Sequence, residues 1–92
     1  MSIRLLYFST PDCSVCHSLR PKVQEMVANY TEVEFCYVDC TKDKPVCGQN
    51  QVFAVPTIIL FHENREIKRF SRFFSVEQVQ NWIERISNES DR

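Results

Sequence analysis

FSTPDCSVCHSLRP, residues 8–21, is the stretch on which the reading of this chain turns. Cys13-Ser14-Val15-Cys16-His17 is C-x-x-C-H, the attachment pattern of a c-type haem. It is equally a C-x-x-C placed between an apolar run and a helical pattern, which is a redox arrangement, or half of a zinc site. Upstream, residues 3–9, IRLLYFS, form a short continuous apolar run that suits a strand buried on both faces. Thr10-Pro11-Asp12 stops that run. Downstream, from Cys16 to about Tyr30, the apolar residues Leu19, Val23, Met26, Val27 and Tyr30 share one helical face. Pro21 falls inside that helix and is expected to kink it.

Further along, residues 33–39, VEFCYVD, read as a second strand. Residues 41–51 are polar and contain Pro45, which fits the first turn of a short helix. Residues 57–62, TIILFH, form a third strand, and residues 66–71, EIKRFS, alternate as a fourth. Glu63-Asn64-Arg65 reads as a three-residue polar turn between them, making an antiparallel hairpin. Ser75 and Gln78 have capping-box spacing. Val76, Val79, Trp82, Ile83 and Ile86 then give the apolar face of a last helix, and SNESDR reads as a frayed polar tail. The order is βαβ, short helix, ββ, α. The first two strands are expected to be parallel through a right-handed crossover.

Composition narrows the function classes. The 92 residues set the scale of one domain, 1–92, with its core over about 3–87, and 43% hydrophobic residues supply a core. Eleven Lys and Arg against twelve Asp and Glu leave a net charge of −1, with no basic stripe for nucleic acid. No apolar run is long enough to span a membrane. The single glycine, Gly48, argues against a glycine-rich phosphate loop and against glycine-dependent tight hairpins. The N-terminal residues carry no signal-peptide pattern, so a cytoplasmic chain is expected. In a reducing compartment, five cysteines point to catalysis or metal more than to structural cross-links.

The chemistries open to the motif differ in what they require. Haem needs export-side attachment and a large apolar pocket, although Met26 and His62 are available as axial ligands. Zinc could draw on Cys13, Cys16, Cys40 and Cys47, yet the second pair is spaced C-x6-C, wider than the usual ligand spacing. Tolerated loop thiols are a third reading, and exposed paired cysteines oxidise. The dithiol reading has a direct physical basis. Cys13 lies where loop becomes helix, and free N–H groups and the helix dipole there favour thiolate, the form that attacks disulfides. Cys16, one turn in, is placed to resolve the mixed disulfide.

With C-x-x-C at a strand-to-helix turn, Pro21, and Val55-Pro56-Thr57, the chain resembles the thioredoxin family over about residues 3–87. The resemblance implies a thioredoxin fold: an α/β, minimal βαβ-α-ββα arrangement with a mixed four-stranded sheet and helices on both faces. It implies a thiol–disulfide oxidoreductase in which Cys13 is the nucleophile and Cys16 the resolving thiol. It also implies that Pro56 is a cis-proline and that Val55 offers its backbone to a substrate peptide. Asp12 stands where the family usually has tryptophan. It joins the substrate-binding set and, with His17, is a candidate modulator of the Cys13 thiol. The carboxylate and lysine that assist proton transfer in many thioredoxins are matched by Tyr7 and Phe35, so that relay is missing.

Also implied are protein-disulfide substrates, a thioredoxin-reductase-like electron donor, no cofactor beyond the Cys13–Cys16 pair, no metal and a monomer. The shortened start resembles glutaredoxins, but ENREIKRFSR lacks the glycines that help hold glutathione. An adaptor with little redox activity and a glutathione-dependent enzyme are the competing functions. Val38-Asp39-Cys40-Thr41, with Cys47 following, resembles protein disulfide isomerase domains, which makes Cys40 and Cys47 a candidate second pair. Cys36 reads as a small buried hydrophobe.

Overall fold

The computed structural model describes residues 2–90 and builds them from four strands and three helices. In chain order these are β1 (Ile3–Ser9), α1 (Ser14–Val27), β2 (Val33–Asp39), α2 (Lys44–Gln49), β3 (Thr57–His62), β4 (Arg65–Ser71) and α3 (Val76–Ser90). The sheet order is β2-β1-β3-β4. β1 pairs with β2 in parallel from Ile3–Val33 to Ser9–Asp39, and antiparallel with β3. β3 and β4 are antiparallel. This is the mixed four-stranded sheet of the thioredoxin fold.

Strand alternation divides the core between the two faces. Ile3, Leu5, Tyr7, Ile58 and Leu60 meet Val23, Met26 and Val27 of α1 and Val79, Ile83 and Ile86 of α3. Phe8 and Ile59 face the other way and pack with Cys47 of α2, flanked by Leu6, Val38, Val46, Val52 and Phe61. Because β1 and β3 carry large apolar residues on both faces, they occupy the centre of the sheet.

Several boundaries differ from the sequence expectation. α1 begins at Ser14, two residues before Cys16, because Cys13 serves as its N-cap. It ends at Val27, with Ala28 as C-cap, so Tyr30 lies beyond the helix. Tyr30 still joins the packing, and its hydroxyl is bonded to Glu84 and accepts from Gln80 Nε2 at 3.0 Å, tying the end of α1 to α3. The β3–β4 turn has two residues, not three. Glu63 and Asn64 have φ of 52° and 66°, the positive values that a two-residue type I′ hairpin needs, reached here without glycine. A register irregularity between Leu60 and Phe61 leaves Ile67 outside the pairing and partly exposed. The capping box forms: Ser75 N–H donates to Gln78 Oε1 at 2.8 Å, and Gln78 N–H to Ser75 Oγ at 3.2 Å. From that cap α3 runs on to Ser90, so residues 87–90 are helical rather than frayed, while residues 91–92 lie outside the described range.

Arg69 joins β4 to the segment that leads toward Pro56. It grips Glu66 with two bonds of 2.7 Å and donates to the carbonyls of Asn50 at 2.9 Å and Gln51 at 3.2 Å. Hydrogen bonding from Arg69 holds the Glu66 carboxyl below its ordinary value of 4.5. A depressed carboxylate contributes stability above its unfolded pKa and loses it as pH falls through the folded value. Glu66→Gln is therefore expected to cost less than about 1 kcal/mol at pH 7, as suits a partly exposed pair. The wild-type advantage should vanish as the pH drops below 4.5, read by urea unfolding along a pH series. An advantage that persists in acid would assign the effect to packing rather than charge.

Candidate functional site

The site lies where the C-terminal end of β1 passes through Thr10–Asp12 into α1. Cys13 is extended, with φ −89° and ψ 101°, as an N-cap must be. Its Sγ takes the role usually played by a side-chain oxygen: Cys16 N–H donates to it at 3.2 Å. The Cys13 sulfur therefore sits at the positive end of α1 and on one of its otherwise orphan N–H groups. Cys16 lies one turn on, only 1% exposed, within the core shared by α1 and α3. The two cysteines are disulfide-bonded across a Cα–Cα distance of 5.2 Å. The outer sulfur is partly accessible and the inner one is enclosed, an asymmetry the two-residue spacing produces by itself.

Tyr7 occupies the position where the resemblance leads one to look for the relay carboxylate, and it makes a neutral hydrogen bond there instead. It is fully buried, and its hydroxyl donates to the Cys16 carbonyl at 2.6 Å. Burial, reinforced by neighbouring Tyr37, pushes its pKa up to about 12, so the phenol stays protonated near neutrality. Phe35 and Tyr37 lie beside its ring at 5.9 and 6.1 Å, and Arg20 covers Tyr37 at 3.7 Å. Beneath the dithiol lies an aromatic stack in place of a carboxylate and a lysine.

Val55–Pro56 is a cis peptide bond. Thr57 Oγ1 donates to the Ala54 carbonyl at 2.6 Å, closing the turn around it. Asp12, Cys13, Val55 and Pro56 line one groove of about 540 Å³, together with Ser14, Val15, Arg72 and Phe73. Among the described residues, neither the N–H nor the C=O of Val55 has a hydrogen-bond partner, so its backbone is open to an added strand. His17 is directed elsewhere. Its Nε2 lies 2.7 Å from the Pro11 carbonyl and donates to it, tying the loop before Cys13 to α1.

Cys40 and Cys47 are disulfide-bonded at a Cα–Cα distance of 5.8 Å, joining the end of β2 to α2. Cys40 also borders a smaller hollow with Thr10, Val52, Phe53, Ala54 and Val55, so this link adjoins the dithiol groove through Val55. Cys36 is free and half-buried, and burial raises its thiol pKa. Among the described residues no three His, Cys, Asp or Glu side chains gather as a metal-binding group. Also among them, no helix is long and apolar enough to cross a membrane.

Sequence reasoning missed Ser14, Val15, Arg72 and Phe73 as groove residues, along with Phe53 of the adjoining hollow. Val15, Phe53 and Phe73 are 58%, 88% and 93% exposed, well above Ile67, the other exposed large hydrophobic among the described residues, at 39%. The available signal was aromatic residues in polar connecting segments, where no core position calls for them.

A family model for thioredoxin matches residues 2–85. The chain belongs to the thioredoxin family. It is 28% identical over 81 residues to a thioredoxin-like protein of Bacillus subtilis, covering 88% of this chain and 72% of that one. It is also 28% identical over 87 residues to mouse DnaJ homolog subfamily C member 10, covering 94% of this chain and 11% of that protein. Among solved structures, thioredoxin 1 of Thermosipho africanus superimposes with a TM-score of 0.91 at 36% identity, covering 97% of this chain and 99% of that one. Family membership and the bonded Cys13–Cys16 pair together support thiol–disulfide oxidoreductase activity.

Proposed function

We propose that this chain is a protein-disulfide reductase. The observation that carries the reading is Cys13 Sγ at the N-cap of α1, held by the Cys16 N–H and opening onto the Val55–Pro56 groove. The Cys13 thiolate attacks one sulfur of a substrate disulfide. The substrate S–S bond breaks, and the other substrate sulfur leaves as a thiolate that takes up a proton. Cys16 then loses its proton and attacks Cys13 Sγ, forming the Cys13–Cys16 bond and releasing the second substrate thiol. Two electrons pass from the dithiol to the substrate, and an external dithiol or a thioredoxin-reductase-like donor restores them. The Val55 backbone aligns the substrate segment by strand addition. Asp12 borders the same groove and opposes the Cys13 thiolate. We place this activity in the cytoplasm and in a monomer.

Insulin reduction driven by dithiothreitol tests this reading. The wild type should accelerate precipitation of the insulin B chain, and Cys13→Ser should remove the acceleration. A wild-type rate at background would overturn it. A Cys16→Ser trap separates the competing functions. Many mixed-disulfide partners mark a general reductase, a single non-covalent partner marks an adaptor, and glutathione as the main adduct marks a glutathione-dependent enzyme.

A further inference from the structure

β4 ends at Ser71, and the chain then turns back under the dithiol groove. Arg72 makes that turn with φ of 65°. Its N–H donates to the Pro56 carbonyl at 2.9 Å, which locks the turn against the groove floor. Glycine adopts this conformation freely, whereas a residue with a Cβ adopts it against steric resistance. Phe73 follows, almost wholly exposed. Two adjacent positions thus carry side chains that local physics disfavours, and both line the groove that holds Cys13. Among the described residues the Arg72 guanidinium has no carboxylate or carbonyl partner, so its donors are available.

We propose that Arg72 and Phe73 are specificity-determining residues of this groove. They select disulfide-bonded protein segments that carry an acidic side chain and an apolar one close to the reacting cysteine. This rests on the reductase reading and names its substrate class. A segment laid along Val55 is extended, so residues two positions either side of its cysteine share the cysteine's face. That face meets the wall formed by Arg72 and Phe73. A guanidinium fork engages a carboxylate through paired hydrogen bonds. The ring of Phe73 and the side chain of Val15, which line the same groove, supply apolar cover for the neighbouring apolar side chain.

The test uses disulfide-bridged peptides identical except for Glu, Gln or Lys two residues to either side of the cysteine. Reduction is followed as kcat/KM for wild type, Arg72→Gly and Arg72→Glu. Arg72→Gly suits the backbone and should fold. The Glu-to-Lys preference is expected to differ between wild type and Arg72→Glu by about threefold to tenfold at low salt, and to shrink in high salt. Arg72→Gly should lie between them. Asp12 is present in every variant, so the comparison reads the change made at Arg72 against a constant background. A preference that Arg72→Glu leaves unmoved would overturn the proposal. If the wild type reduces no peptide and no insulin, the reductase reading falls instead. Fluorescence anisotropy with the Cys13→Ser, Cys16→Ser variant then decides the selectivity alone. Tighter binding of the Glu peptide that Arg72→Glu reverses would support it, and equal binding would overturn it.

Discussion

Iodoacetamide added to the reduced protein at pH 7 is expected to modify Cys13 at least about a hundredfold faster than Cys16. Two effects act in the same direction. The Cys13 sulfur accepts the Cys16 N–H and sits at the N-terminus of α1, and both stabilise thiolate. Stabilising the thiolate raises the fraction present at pH 7, and that accounts for part of the rate difference. Burial of Cys16 at 1% exposure supplies the rest, because the reagent cannot reach a sulfur enclosed by the α1–α3 core. The Asp12 carboxylate, in the same groove, works against the Cys13 thiolate. Asp12→Asn should therefore move the pH profile of Cys13 labelling to lower pH. Peptide mass analysis of labelling across pH reads both effects. Faster modification of Cys16 would reverse the roles proposed for the two thiols, and an upward shift in Asp12→Asn would exclude charge repulsion.

The elements that could be read from the sequence are those governed by local patterns. Continuous apolar runs fixed the central strands, because a strand buried on both faces has no polar side. Ser75 and Gln78 announced the start of α3 through chemistry confined to four residues. The end of α3 was harder, since SNESDR has polar residues suited to a fray, and no local stop such as glycine or proline separates it from the helix. The two-residue β3–β4 turn has no local signature, because Glu63 is an uncommon residue at positive φ and the pairing of His62 with Arg65 places it there.

The site divides along the same line. Cys13, Cys16 and the Val55–Pro56 turn are adjacent to sequence signals. Tyr7 was located as the position lacking a carboxylate, but its bond to the Cys16 carbonyl depends on β1 running beneath α1, a tertiary fact. Arg72 and Phe73 enter the groove through the bond between Arg72 N–H and the Pro56 carbonyl, sixteen residues apart in sequence and invisible to any periodicity.

Replacing both Cys40 and Cys47 by serine is expected to destabilise the oxidised protein by about 2.5 kcal/mol in the chain-entropy model, which counts only the short loop the bond closes. For a chain of this length that corresponds to a fall in Tm of about 10–20 °C. The location makes the loss more than a general loosening. α2 reaches the rest of the molecule through a small cluster in which Cys47 packs with Phe8 and Ile59, and Cys40 and Val52 flank them. Other restraints on the segment are the bond from Val52 N–H to the Cys47 carbonyl, the grip of Arg69 on Asn50 and Gln51, and the bond between Cys40 N–H and the Ser9 carbonyl. Removing the covalent link should therefore raise hydrogen exchange most in residues 44–54. Exchange at β1 and β3 should respond only through global stability, since their pairing does not involve α2. Cys36 is the control: it is free, so Cys36→Ala should leave the number of disulfides at two. Thermal unfolding with and without reductant, joined to exchange mass spectrometry, measures the loss. Equal Tm values for wild type and the double variant under oxidising conditions would show that the Cys40–Cys47 link does not stabilise this fold.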